Sequence, residues 1–436
     1  MLKSHSVQLK KLVRSSASVI AVVVLAIALR AAYMADTAPE NRSHEWDKYV
    51  EVVNKYATTW TIPGPRDCWE CYQPPLYFFG MGMWKNALVF LGVSESAIVI
   101  TIQVWSFLFS AFAVLAMAAI AGTLFPGDVR REDRALFVAL CACLPGVIFL
   151  SSIVGNDGVA ALLGIVTSML LFTWWRKPQL SVALLAGLSL GAGLLVKTTA
   201  VGLVGAMIVI LLSRPKFPFL RRLAHLGLAL AVVLALVGPY TALRCAQGTC
   251  QPIGNTDGLN PALRVESGAQ ELLSFNPWQI VRHPYNNPES HDERNHILWE
   301  FFYRSAFIGE YNFGPRMYAV TIFALTLGMI GLWVALYGAW MSVELRLPYA
   351  VPVASILLCT LGSVLVARII YPFSTTQDFR YVPFIVVPVA AYMIIGLQQL
   401  PPKPRAVLRG LLWGLALCCA LMVVGLIIIN PPAINR

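Results

Sequence analysis

The 436-residue chain is 58% hydrophobic and only 13% charged, with a mean hydropathy of +0.68. That is too apolar for a soluble protein, which must cover its surface with charge, and it points to a polytopic membrane protein. The formal charge of +11 would favour nucleic-acid binding if the bases formed one patch, but they follow the turns between apolar segments, so nucleic acid is excluded as a partner.

Windows of about 19 residues, long enough to cross roughly 30 Å of hydrocarbon, predict eleven spans. They fall near 16–33, 97–125, 135–154, 158–175, 180–196, 199–213, 223–243, 317–341, 349–371, 382–397 and 410–429. With the N-terminus in the cytoplasm, the turns on that side hold 17 bases against four acids, the asymmetry of inward-facing loops. An odd number of spans then places the C-terminus outside. The expected localisation is an integral membrane protein of a bacterial inner membrane. A cleavable signal around "RAAYMADTA" is the other reading of the first span; Arg30 inside the apolar run argues against it. No internal repeat or soluble domain is evident. The expected fold is an all-α bundle over 1–436, with a first outer loop at 34–96 and a large outer loop at 244–316.

The first outer loop is unlike a plain connector. In "NRSHEWDKYVEVVNKYATTW", Trp46, Tyr49, Val50, Val53 and Tyr56 recur at helical spacing, which predicts a helix lying flat on the membrane. Glu45 and Asp47 then fall in its first turn, where the helix N-terminus favours carboxylates; plain capping charges are the alternative role. "CWECYQPPLYFFGMGMW" follows at 68–84. Pro74 and Pro75 impose an extended entry, and the aromatic run predicts a second interfacial helix with Lys85 within reach of a headgroup phosphate.

Nine cysteines divide by topology. Cys141, Cys143, Cys359, Cys418 and Cys419 lie in spans and act as small apolar fillers. Cys68, Cys71, Cys245 and Cys250 lie outside, where disulfides persist; local pairs Cys68 with Cys71 and Cys245 with Cys250 are the simplest connectivity, with a zinc site or a redox-active "CWEC" as alternatives. "NRS" at 41–43 has the form of a glycosylation acceptor.

Each tight outer turn carries charge: "GND" with Asp157, "LVKTT" with Lys197, and "TTQDFRY" with Asp378, Arg380 and Tyr381. Such groups can be interfacial anchors, but acids and bases above one bundle mouth favour a polar cavity. In the large outer loop, Trp299, Phe302, Tyr303 and Phe307 predict an interfacial helix over 296–308. His283, His291, His296, Glu289, Asp292 and Glu293 have ligand chemistry but no recognised metal spacing. No metal site is assigned.

The series "DKY" at 47–49, "YQPPLYF" at 72–78, "GNDG" at 155–158, "GLSLGAGLLVKTTAVGLV" at 187–204 and "QDFRYVPFIVVPVAAY" at 377–392 resembles the GT-C fold glycosyltransferases, which include protein O-mannosyltransferases and the aminoarabinose transferase acting on lipid A. The resemblance implies transfer of a sugar from a polyprenyl-phosphate donor at the outer face, to a lipid, glycan or protein acceptor. By its pattern the general base falls on Asp47. The order "HEWDKY" departs from the usual Asp-Glu pair and keeps Glu45 as a rival, with Asp67 and Glu70 behind it.

The chemistry needs a carboxylate at the attacking hydroxyl, opposite the leaving group, and cations where charge grows on the departing phosphate. Lys85, Lys197 and Arg380, with the Tyr381 hydroxyl, are the donor-phosphate candidates; Arg30 and Arg368 stand behind them. Tyr72, Gln73, Pro74, Pro75, Tyr77, Asp157 and Asp378 are expected to line the pocket. No cofactor is required, and a divalent Mg or Mn is the alternative. The competing readings are an O-antigen polymerase or ligase, which shares a large outer loop, and a lipid or sugar transporter, which expects two matching halves with mid-membrane polar groups.

Overall fold

The computed structural model describes residues 2–36, 48–126, 131–248, 264–286, 296–309 and 313–429. The chain builds α1 (Leu2–Asp36), α2 (Tyr49–Thr59), α3 (Pro75–Phe90), α4 (Glu95–Leu124), α5 (Arg131–Ala142), α6 (Pro145–Phe149), α7 (Asp157–Arg176), α8 (Leu180–Val196) and α9 (Gly202–Ser213). It continues with α10 (Phe219–Ala246), α11 (Ala269–Leu273), α12 (Pro277–Arg282), α13 (Leu298–Ile308), α14 (Tyr318–Glu344), α15 (Ala350–Ile370), α16 (Val386–Gln399) and α17 (Pro402–Ile429).

Among the described residues, seven helices are long and apolar enough to cross a membrane and three shorter apolar ones complete passes at Leu180–Val196, Thr198–Ser213 and Pro383–Gln399. The remaining expected pass, 135–154, is not one helix. α5 stops at Ala142 and α6 runs only from Pro145 to Phe149, because Pro145 has no N–H and its ring disfavours helical geometry at Leu144. Non-helical backbone at membrane depth needs partners inside the protein. Arg30, fully buried, supplies one by donating from Nη1 to the Ala142 carbonyl at 2.8 Å, while its Nε donates to the Ser110 hydroxyl. Arg30 is therefore held at this break.

The helix expected to lie on lipid over 296–308 is also different. α13 is buried on nearly every side, including Glu300 and Arg304. Its backbone meets α6 so closely that a Cβ on Gly146 would lie 2.6 Å from the Ala306 carbonyl oxygen. A segment with helical spacing and aromatic residues reads alike whether its second face meets lipid or protein.

In the first outer loop the helix begins later than expected. Lys48 adopts φ 54° ahead of α2, whose first turn carries Glu51; Glu45, Asp47 and Trp46 lie outside the described residues. α2 buries Tyr49, Val52, Val53 and Tyr56 against α3, where Tyr56 and Phe78 stack. Pro74 is extended and Pro75 opens α3, as the paired prolines dictate. α3 turns Leu76, Met83 and Phe90 outward.

The bundle has two chemically distinct ends. At one, Asp133 receives both Arg409 at 2.9 Å and the Gln398 amide at 2.9 Å. At the other, the first and large outer loops meet the ends of α8, α10 and α15. There Arg368 donates to Gln377 and Ser267 and to the carbonyls of Glu266 and His296, tying the large loop to α15.

Candidate functional site

Asp157 is the first residue of α7 and Lys197 follows the last residue of α8. A carboxylate is favoured at a helix N-terminus and a cation at a C-terminus, so the antiparallel pair α7–α8 brings opposite charges to one level. Lys197 Nζ pairs with Asp157 Oδ1, and both side chains are almost completely buried. The preceding residues fix this geometry. Gly155 lies under Tyr49, whose ring would be 2.8 Å from a Cβ at that position. Asn156, fully buried, donates its amide to the Val196 carbonyl at 2.7 Å and to Gln73 Oε1 at 3.2 Å. Gln73 in turn donates to Glu70 at 2.9 Å. Among the described residues, Asn156 Oδ1 and Asp157 Oδ2 are buried acceptors without a hydrogen-bond partner, at adjacent positions in the chain.

A short 3-10 turn at Phe379–Tyr381 brings the remaining cation. The Asp378 carboxylate accepts from the Arg380 N–H at 2.8 Å, the Phe379 N–H donates to Ser305 at 2.9 Å, and the Tyr381 carbonyl accepts from Thr199 at 2.7 Å. Lys197 Nζ stands 4.5 Å from the Tyr381 ring centroid and the Arg380 guanidinium 5.2 Å from the same ring. Two cations thus share one aromatic face system, an arrangement that strengthens as water is excluded. Tyr77 completes the group. Burial raises its phenol above the ordinary range, and the nearby Asp157 charge adds to the shift.

The structure therefore brings together Gln73, Tyr77, Asp157, Lys197, Asp378, Arg380 and Tyr381 from the expected set. Pro74 and Pro75 open α3 beside them, and the Tyr72 carbonyl accepts from Tyr240. Lys85 is not brought there. It lies eight residues beyond Tyr77, about 12 Å along α3, where it pairs with Glu95 and donates to Asn54 at 2.7 Å. Arg368 and Arg30 are likewise occupied elsewhere. Cys68 and Cys71 are joined in a disulfide, and Cys245 is disulfide-bonded; Cys250 lies outside the described residues, as do His291, Glu289, Asp292, Glu293 and the 41–43 acceptor sequence. Among the described residues no group of three or more His, Cys, Asp or Glu side chains could hold a metal ion.

An apolar cavity of about 320 Å³ runs between α13, α14, α15 and α16, with Trp299, Phe302, Phe307, Leu332, Met393 and Phe379 in its walls. Its Phe379 wall is the residue before Arg380, so the turn that carries the charged group also contributes to the cavity. Sequence reasoning missed Asn156, although it stands inside the "GND" turn; a buried amide ahead of a helix start was the available signal. The cavity had no signal of its own, because its lining comes from helices far apart in the chain.

Comparison with known proteins agrees with this architecture. A family model described as dolichyl-phosphate-mannose-protein mannosyltransferase matches residues 73–241, which include Gln73, Tyr77, Asp157 and Lys197 but stop short of Arg380. No curated protein matches the chain in sequence. Among solved structures, ArnT from Cupriavidus metallidurans in the apo state is similar with a TM-score of 0.53 at 12% identity, over 95% of this chain and 76% of that one. The same ArnT bound to undecaprenyl phosphate gives 0.53 at 12% identity, over 93% and 75%. An oligosaccharyltransferase from Archaeoglobus fulgidus overlaps more loosely, at 0.44 and 13% identity over 92% and 53%. The chain has the ArnT-like, GT-C fold.

Proposed function

We propose that the chain is a membrane glycosyltransferase that moves a sugar from a polyprenyl-phosphate donor to an acceptor hydroxyl. The observations that carry this reading are an apolar cavity walled in part by Phe379 and, on the same turn, Arg380 and Tyr381 beside Lys197. A ligand with a long hydrocarbon tail and an anionic head fits such a site, and undecaprenyl phosphate is bound in one of the solved structures that share the fold.

In this reading the tail occupies the cavity and the phosphate meets the cations. Arg380 and Lys197 supply the cations, and Lys197, paired with Asp157, contributes by exchanging its partner as charge grows on the leaving group. The acceptor oxygen attacks the anomeric carbon from the face opposite the phosphate. A carboxylate takes the hydroxyl proton, the new carbon–oxygen bond forms, and the bond to the phosphate oxygen breaks with its electron pair leaving on the lipid phosphate. Asp47 is the first choice for that base and Glu45 the second. They precede Tyr49 by two and four residues, and Tyr49 packs on Gly155 beside Asn156 and Asp157. Asn156 Oδ1 and Asp157 Oδ2, unpartnered among the described residues, suit hydroxyl donors of the sugar.

The test is turnover by the purified protein in liposomes, given radiolabelled polyprenyl-phosphate mannose, glucose and arabinose. Release or transfer of label from at least one donor is expected. Asp47→Asn or Glu45→Gln should abolish it, and Arg380→Ala should lower it by about two to three orders of magnitude, the scale of one oxyanion-stabilising group. Absence of turnover with every donor, or full activity in both acid variants, would refute the assignment.

A further inference from the structure

We propose that Arg244, together with Tyr240, is a positioning residue that fixes the 63–73 segment of the first outer loop against Asn156 and Asp157. Arg244 lies in the last turn of α10, where a cation is favoured by the helix terminus, and it is buried. All three of its nitrogens are used. Nη1 donates to the Pro63 carbonyl at 2.8 Å and to Gln247 at 3.0 Å, Nη2 donates to the Cys71 carbonyl at 2.7 Å, and Nε donates to the Tyr240 hydroxyl at 3.0 Å. That hydroxyl donates onward to the Tyr72 carbonyl at 3.1 Å.

The two residues thus hold the carbonyls of Pro63, Cys71 and Tyr72, while the Cys68–Cys71 disulfide closes the same segment covalently. Gln73 is the next residue, and its side chain receives Asn156. A continuous run of contacts leads from the end of α10 through the loop to the Asp157–Lys197 pair. A planar guanidinium reaches two carbonyls and a hydroxyl in different directions; a lysine ammonium, a single point of charge, cannot span them. Loosening the run would let Gln73 and Asn156 drift relative to the reacting atoms while leaving the cavity and Arg380 in place, so turnover falls and donor affinity does not.

This role rests on the glycosyltransferase reading, and the experiment separates the two. Hydrogen–deuterium exchange of the full-length protein in nanodiscs is compared for wild type, Arg244→Ala, Arg244→Lys and Tyr240→Phe, alongside kcat and KM for the polyprenyl-phosphate sugar that wild type turns over fastest. Arg244→Ala should speed exchange of the Cys71 and Gln73 amides, with α14 and α16 unchanged. It should also lower kcat by about a hundredfold, the scale of a misplacement near 1 Å, with KM within about twofold. Arg244→Lys and Tyr240→Phe should fall between. Unchanged exchange at 71–73, an unchanged kcat, or a loss confined to KM would overturn the proposal. A wild-type protein inactive on every donor would remove the reaction reading, and the exchange result would still decide whether the latch exists.

Discussion

The Asp157–Lys197 pair is two opposite charges placed out of water at the adjoining ends of antiparallel helices. Truncating one member leaves an uncompensated buried charge, which costs about 3–5 kcal/mol, whereas removing both is close to neutral. Lys197→Met is therefore expected to lower unfolding stability in detergent by that amount, and Asp157→Asn combined with Lys197→Met to restore most of it while remaining inactive. Equal melting of the single and double variants would show that the pair is not coupled. Asp157, Lys197, Arg380 and Tyr381 could be picked out from the sequence because ionisable groups are conspicuous at the ends of apolar runs. Lys85 looked the same by that criterion, but its partner Glu95 opens the next long helix, and nothing local to Lys85 reveals that the two meet. Arg244 is unremarkable in sequence for the opposite reason: its acceptors in the first outer loop are the backbone carbonyls of Pro63 and Cys71, which carry no residue signature.

At the scale of elements, the cavity depends on how α14 and α16 approach one another. A Cβ at Gly338 would collide with the Tyr392 carbonyl and one at Gly396 with the Val334 carbonyl, the close backbone approach that small residues permit between membrane helices. These two helices also supply Leu332 and Met393 to the cavity wall. Gly338→Val should separate them, lowering the melting temperature by several degrees, as overpacking by about 1–3 kcal/mol does, and weakening retention of polyprenyl phosphate; a variant that melts and binds like wild type would show that the contact is not tight. Helix positions were largely readable from apolar run length. The break at Pro145 was marked by the proline itself, yet the run on both sides is apolar enough to mask it. Sequence spacing marks α13 as a helix but not its depth, because Glu300 and Arg304 find their partners in the 276–283 segment, the Asn276 N–H donating to Glu300 and Arg304 donating to the His283 carbonyl.

For the molecule as a whole, alternating turns put the Asp133–Arg409 cluster at one end and the Asp157–Lys197–Arg380 group at the other, and the fold is that of ArnT over almost the full chain. The apolar cavity shares the Phe379–Tyr381 turn with the second end, and in the proposed reading the two form one site with a hydrocarbon half and a charged half. Labelling with a polyprenyl phosphate carrying a photoreactive group in its chain, in proteoliposomes and followed by peptide mapping, tests that claim most directly. Adducts should concentrate at Trp299–Phe307 and Ile385–Met393 and should fall sharply in Arg380→Ala. Adducts confined to the outward faces of α10 and α17, or labelling indifferent to Arg380, would contradict it.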